Sequence, residues 1–104
     1  MLGGIAPTSE SLAFMARTIP KDSTWEVIGI SKVQWRLVGA ALALGGNIRV
    51  GLEDNFYLDS AGKEMAKGNG PLVEKAVRMC RDVGREPATP DEARAMLSIN
   101  QAWA

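Results

Sequence analysis

Histidine does not occur in this 104-residue sequence. Its absence excludes a histidine general base, a Ser-His-Asp triad and a histidine zinc site built by this chain alone. A metal held by these residues by themselves would rest on carboxylates and carbonyls. Cysteine is nearly as scarce. Cys80 is the single one, which excludes an intramolecular disulfide framework and fits a reducing cytoplasm. It falls inside a helical pattern and reads as a small buried hydrophobe rather than a nucleophile. Net charge is lacking as well, with 12 basic residues against 12 acidic ones. No basic run and no basic patch interleaved with aromatics is present, so neither nucleic acid nor an anionic membrane surface is an expected partner. The longest apolar stretch, around Leu37 to Leu44, is too short to span a bilayer. No basic segment followed by an apolar one suggests a secretory signal. The expectation is a soluble, cytoplasmic chain.

What is present is helix and strand in alternation. "TSESLAFMART" predicts a helix over residues 8 to 18, with Thr8 as N-cap, Glu10 at the positive end of the dipole, and Leu12, Met15, Ala16 and Ile19 on one face. Pro20 ends it. "TWEVIGI", residues 24 to 30, is rich in β-branched and aromatic residues and reads as a strand. Ser31 and Gln34 have the spacing of a capping box, opening a helix that Gly45-Gly46 stops. A second strand is expected over 47 to 53. A helix follows from about 70 to 83, capped by Asn69 and closed by Gly84. "TPDE" is a second capping box, with proline at the first helical position of a short helix ending near Leu97.

The order strand, helix, strand with short connections is that of a βαβ unit with parallel strands. Parallel sheets need cover on both faces, and two strands cannot supply it. The chain therefore reads as one folding unit, residues 1 to 104, that is a piece of a larger α/β sheet. "NFYLDSAGKEMAKGNG" is long for a connection in such a domain, which makes it a candidate functional loop.

"NIRVGLEDN", residues 47 to 55, sets charges in an apolar strand. Alternation sends Ile48, Val50 and Leu52 to one face and Arg49, Gly51 and Glu53 to the other, with Asp54 at the exit. One reading makes Glu53 and Asp54 rim residues or loop caps, with Arg49 as a structural partner. The other makes them a site. A strand-end carboxylate can ligate a metal, a neighbouring one can accept a proton, and a guanidinium steadies the ionised form. Such a set suits enolate formation beside a carbonyl.

"GGNIRVGLEDN", followed by "NGPLVEKAVRMCRDVGREPATPDEARAML", closely resembles the β-keto acid cleavage enzymes, the family of 3-keto-5-aminohexanoate cleavage enzyme. The likeness extends through "GGIAPTSESLAFM" and "TWEVIGISKVQ" to nearly the whole chain. It implies a zinc-dependent (β/α)8 TIM barrel and a transferase that converts a β-keto acid and acetyl-CoA to acetoacetate and a new acyl-CoA. The chain would correspond to the C-terminal part, about strands 7 and 8 with their flanking helices. On the family pattern Glu53 is the carboxylate ligand of Zn(2+), Asp54 the catalytic acid/base and Arg49 its partner. Ser31 and Lys32 would lie where a CoA or substrate phosphate or carboxylate is met, or else serve as a helix cap and a solvated lysine. Two family zinc ligands are histidines in an early strand, and this chain has none. The expectation is therefore a C-terminal fragment inactive alone. The alternative is a non-catalytic α/β module that self-associates or pairs with a complementary barrel fragment. Expected partners are the β-keto acid, acetyl-CoA and further copies of the chain, since the "SINQAWA" tail offers Ile99 and Trp103 for packing.

Overall fold

The computed structural model describes residues 4–99. Trp103 and the opening residues 1–3 lie outside that range. Helix α1 spans Ser9–Thr18, strand β1 Glu26–Ile28, helix α2 Gln34–Ala43, strand β2 Asn47–Arg49, helix α3 Asn69–Asp82 and helix α4 Pro90–Met96. A single 3-10 turn, Ser31–Val33, leads into α2. The two strands pair in parallel, Glu26 with Asn47, Val27 with Ile48 and Ile28 with Arg49. This is the expected strand, helix, strand unit. No helix among the described residues is long and apolar enough to cross a membrane.

Helix α2 is the centre of the packing because its apolar residues run around more than one side. Trp35, Val38 and Leu42 meet Leu72, Ala76 and Cys80 of α3, while Leu37 and Ala41 meet Leu12 of α1 and Val27 of β1. Ile48 of β2 touches both groups. Cys80 is buried and free, as its place in an apolar helix stripe predicts. Val73 of α3 and Val83 just after it are half exposed. One sheet face, carrying Val27 and Ile48, packs on the helices. The other carries Glu26, Ile28, Asn47 and Arg49, all exposed among the described residues.

Helix ends follow local chemistry. Thr8 accepts from the Ser11 amide, and Thr89 with Glu92 forms the complete capping box expected from "TPDE". Gly45 and Gly84 both adopt a positive φ of 86°. After each, paired amides reach back to the preceding helix: Gly46 to the Ala41 carbonyl, and Arg85 to that of Cys80. The Arg85 guanidinium then donates to the carbonyls of Leu42, at 3.1 Å, and Gly46, at 2.8 Å, fastening the chain after α3 to the end of α2.

Four expectations are corrected. Both strands are shorter than the sequence suggests, and β2 ends at Arg49 because the chain turns at 52–54. Strand alternation therefore does not reach Glu53. Ser31 and Gln34 form no capping box: Ser31 sits at a φ of 62°, and Gln34 is wholly buried with its amide donating to the Gly29 carbonyl. Asn69 does not cap its own helix, because its side-chain oxygen accepts from the Leu52 amide at 2.8 Å.

A Cβ at Gly29 would stand 2.6 Å from the Gln34 Cα, a backbone atom with no freedom to move aside. Gly29→Ala is expected to lower unfolding free energy by about 1–3 kcal/mol. Gly39→Ala, in the middle of α2 with only the Met79 methyl at 3.8 Å, should instead raise it by about 0.5–1 kcal/mol. Urea unfolding of both variants checks the contrast.

Candidate active site

Residues 50–55 leave the end of β2 and fold into a tight turn. The amides of Asp54 and Asn55 both donate to the Gly51 carbonyl at 3.1 Å, while Asn69 holds the Leu52 amide from α3. This turn returns Glu53 and Asp54 to Arg49. The Arg49 guanidinium lies 3.1 Å from a Glu53 carboxylate oxygen and its Nε 3.6 Å from Asp54 Oδ2. Arg49, Glu53 and Asp54 do meet, although a turn rather than strand pleat brings them together.

Their environments differ sharply. The Glu53 side chain is 81% exposed and that of Asp54 only 11%. An exposed ion pair such as Arg49–Glu53 contributes about 0.2–1 kcal/mol. Asp54 Oδ2 is buried and accepts no hydrogen bond. Leaving a buried acceptor unsatisfied costs about 1–3 kcal/mol. The charged neighbour of this oxygen is the Arg49 guanidinium, at 3.6 Å, in place of a hydrogen bond.

Ser31 joins the cluster through its backbone, its amide donating to the Asp54 carbonyl at 2.8 Å. Lys32 is exposed and directs its stem toward the following loop, where a Cβ on Gly62 would come within 3.2 Å of its Cδ. Two buried polar residues were not singled out as site residues in the sequence. Gln34 and Asn55 are 0% and 2% exposed, and Asn55 Nδ2 donates to Gln34 Oε1 at 3.3 Å. The available signal was a glutamine beside Trp35 on the apolar face of α2 and an asparagine straight after the paired carboxylates.

The long loop is folded rather than slack. Tyr57 and Met65 form an antiparallel bridge, and the Trp35 indole donates to the Tyr57 carbonyl at 2.8 Å. Lys75 of α3 donates to the Leu58 carbonyl, with its ammonium 4.4 Å from the Trp35 ring centre. Burial pushes the Lys75 pKa down from its ordinary 10.5, partly opposed by Asp59. Asp59 accepts from the amides of Lys63 and Glu64, and these bonds, Glu64 foremost, hold its carboxyl below the usual 3.8.

Among the described residues no group of three or more His, Cys, Asp or Glu side chains converges. Glu53 and Asp54 are two neighbouring carboxylates already facing one guanidinium.

A parallel βαβ unit thus carries an arginine at the last position of β2 and two carboxylates in the turn that follows it. The model of the beta-keto acid cleavage enzyme family matches residues 1–99, and the chain belongs to that family. It is 44% identical over 97 residues to a 3-keto-5-aminohexanoate cleavage enzyme of Fusobacterium nucleatum, covering 93% of this chain and 35% of the relative. A protein of the same name from Acetoanaerobium sticklandii is 41% identical over 95% of the chain and 36% of its own length. A 3-oxoadipate:acetyl-CoA acetyltransferase of Cupriavidus necator is 39% identical, over 86% and 32%. The chain thus spans about a third of the length of these curated relatives.

Two measurements bear on this geometry. Glu53→Gln is expected to change unfolding free energy by less than about 1 kcal/mol, because only an exposed ion pair is lost. A larger loss in urea unfolding would make Glu53 a structural residue. The folded-state pKa of Asp59 lies below its unfolded value, so its stabilising bonds are present above that value and lost as pH falls through the folded one. NMR titration of the Lys63 and Glu64 amides should give a midpoint below 3.8, and Asp59→Asn should abolish the transition.

Proposed function

We propose that this chain supplies the terminal strands and part of the catalytic site of an acyl-transferring β-keto acid cleavage enzyme. The observation that carries this reading is Arg49 bracketed by two carboxylates, one exposed and one buried without a hydrogen-bond donor. In the proposed roles Asp54 takes the proton from the carbon beside the substrate keto group. Arg49 stabilises the ionised carboxylate at that position, and its charge favours an anionic substrate nearby. Glu53, open to solvent, is available as one ligand of a zinc ion whose histidine ligands this chain lacks. Acetyl-CoA as co-substrate is supported by the names of the Cupriavidus relative and of a 3,5-dioxohexanoate:acetyl-CoA acetone transferase from Paraburkholderia graminis.

The same reading accounts for the uncovered sheet face. Glu26, Ile28, Asn47 and Arg49 line it, and in a closed (β/α)8 barrel that face would look into the lumen, where such enzymes place polar groups at strand ends. Ser31 and Lys32 stand at the neighbouring strand exit as candidates for contacting a phosphate or carboxylate. Self-association of the chain remains a prediction of its exposed sheet face.

The test is a chimera in which residues 4–99 replace the matched third of the Fusobacterium relative. With 3-keto-5-aminohexanoate and acetyl-CoA as probes, the chimera should form a new CoA thioester, followed by mass spectrometry. Asp54→Asn should lower kcat/KM by about 10²–10⁴-fold, the contribution of a positioned acid/base. An Asp54→Asn chimera as active as its parent overturns the assignment.

A further inference from the structure

The Asp54 side chain accepts no hydrogen bond at its buried oxygen, and the Arg49 Nε stands off at 3.6 Å. Side-chain bonding therefore does little to fix its direction, which has to come from the backbone. That backbone is pinned on both sides. Its amide is held by Gly51, and its carbonyl by the Ser31 amide that rises from the other strand exit.

The position of Ser31 depends on a buried amide pair. Gln34 Nε2 donates to the Gly29 carbonyl at 3.0 Å, and its Oε1 accepts from Asn55 at 3.3 Å. Asn55 completes the link with a donor to the Tyr57 carbonyl at 2.8 Å and an acceptor for the Tyr57 amide at 3.0 Å. The Gly29 backbone lies so close to Gln34 that a Cβ there would meet its Cα at 2.6 Å. One glutamine thus ties the exit of β1 to the residue that follows Asp54. Both amides are almost fully buried, so neither geometry is shared with water.

We infer that Gln34 and Asn55 are positioning residues that clamp the two strand exits together and set the direction of the Asp54 carboxylate. This rests on the proposed acid/base role of Asp54. The clamp itself is a property of the chain and is measurable without activity.

Two arms separate the clamp from the catalytic assignment. In the 104-residue chain, Gln34→Met keeps the volume and removes both bonds. Hydrogen exchange at the Ser31 amide should quicken by about tenfold or more while the Ala76 amide in α3 stays near its parent rate, the signature of local opening. Equal acceleration at both amides, or none at Ser31, overturns the clamp. In the chimera, Gln34→Met should lower kcat by about 10- to 100-fold, since sub-ångström misplacement of a reacting group is this costly. KM for the β-keto acid should remain within about twofold. Asn55→Asp, which replaces the donor to Gln34 by an acceptor at constant size, should reproduce both effects and guards against a folding defect peculiar to position 34. Unchanged kcat in a folded variant, with Asp54→Asn inactive, overturns the positioning role alone. An inactive parent chimera counts against the enzymatic reading, and with it against the catalytic half of this inference, while the exchange arm still decides the clamp.

Discussion

Three parallel residue pairs, Glu26 with Asn47, Val27 with Ile48 and Ile28 with Arg49, hold the two strand exits side by side. Everything chemical in the chain depends on that alignment. Parallel pairing forces the connection between the strands to run back along the sheet, so α2 must lie over Val27 and Ile48. With the helix there, both strands end in the same direction, and the segments 29–31 and 51–55 emerge as neighbours. The Ser31 amide can then reach the Asp54 carbonyl, and Gln34 can reach both Gly29 and Asn55.

Much of this was legible in the sequence because it rests on local rules. Thr8, the "TPDE" box and the glycines at 45 and 84 mark helix ends through their own backbone and side-chain chemistry, and the structure uses each of them so. The identity of the charged cluster was legible too, since three ionisable groups within six positions of an apolar stretch stand out. Its geometry was not. Alternation assumes that a strand continues, whereas the Gly51 carbonyl collects two amides and bends the chain. Gln34, Asn55 and Asn69 escaped for a related reason. Each makes a hydrogen bond to a partner distant in sequence, Gln34 and Asn55 to one another and Asn69 to the Leu52 amide. Spacing rules cannot see such partners.

The distribution of satisfied and unsatisfied groups separates scaffold from site. The buried amides of Gln34 and Asn55 are matched by carbonyl, amide and one another, as buried polar groups normally must be. Asp54 Oδ2, close by, is not matched. A bonded frame around one carboxylate oxygen without a hydrogen bond is the arrangement that the proposed acid/base role of Asp54 calls for, with rigidity in the frame and the oxygen left free.

The contact of Arg85 with the carbonyls of Leu42 and Gly46 bears on how this family can drift. A guanidinium that reads main-chain oxygens is indifferent to the side chains on those residues. Position 42 is then free to change to any residue the core accepts, without loosening the join between α2 and the segment after α3. Position 46 has no such latitude, because a Cβ there would fall 2.3 Å from the Trp25 ring. Substitutions at Arg85 and Trp25 should therefore leave different marks on descendants. Loss of the arginine removes a fastening shared by two elements, whereas loss of the tryptophan frees a glycine to vary.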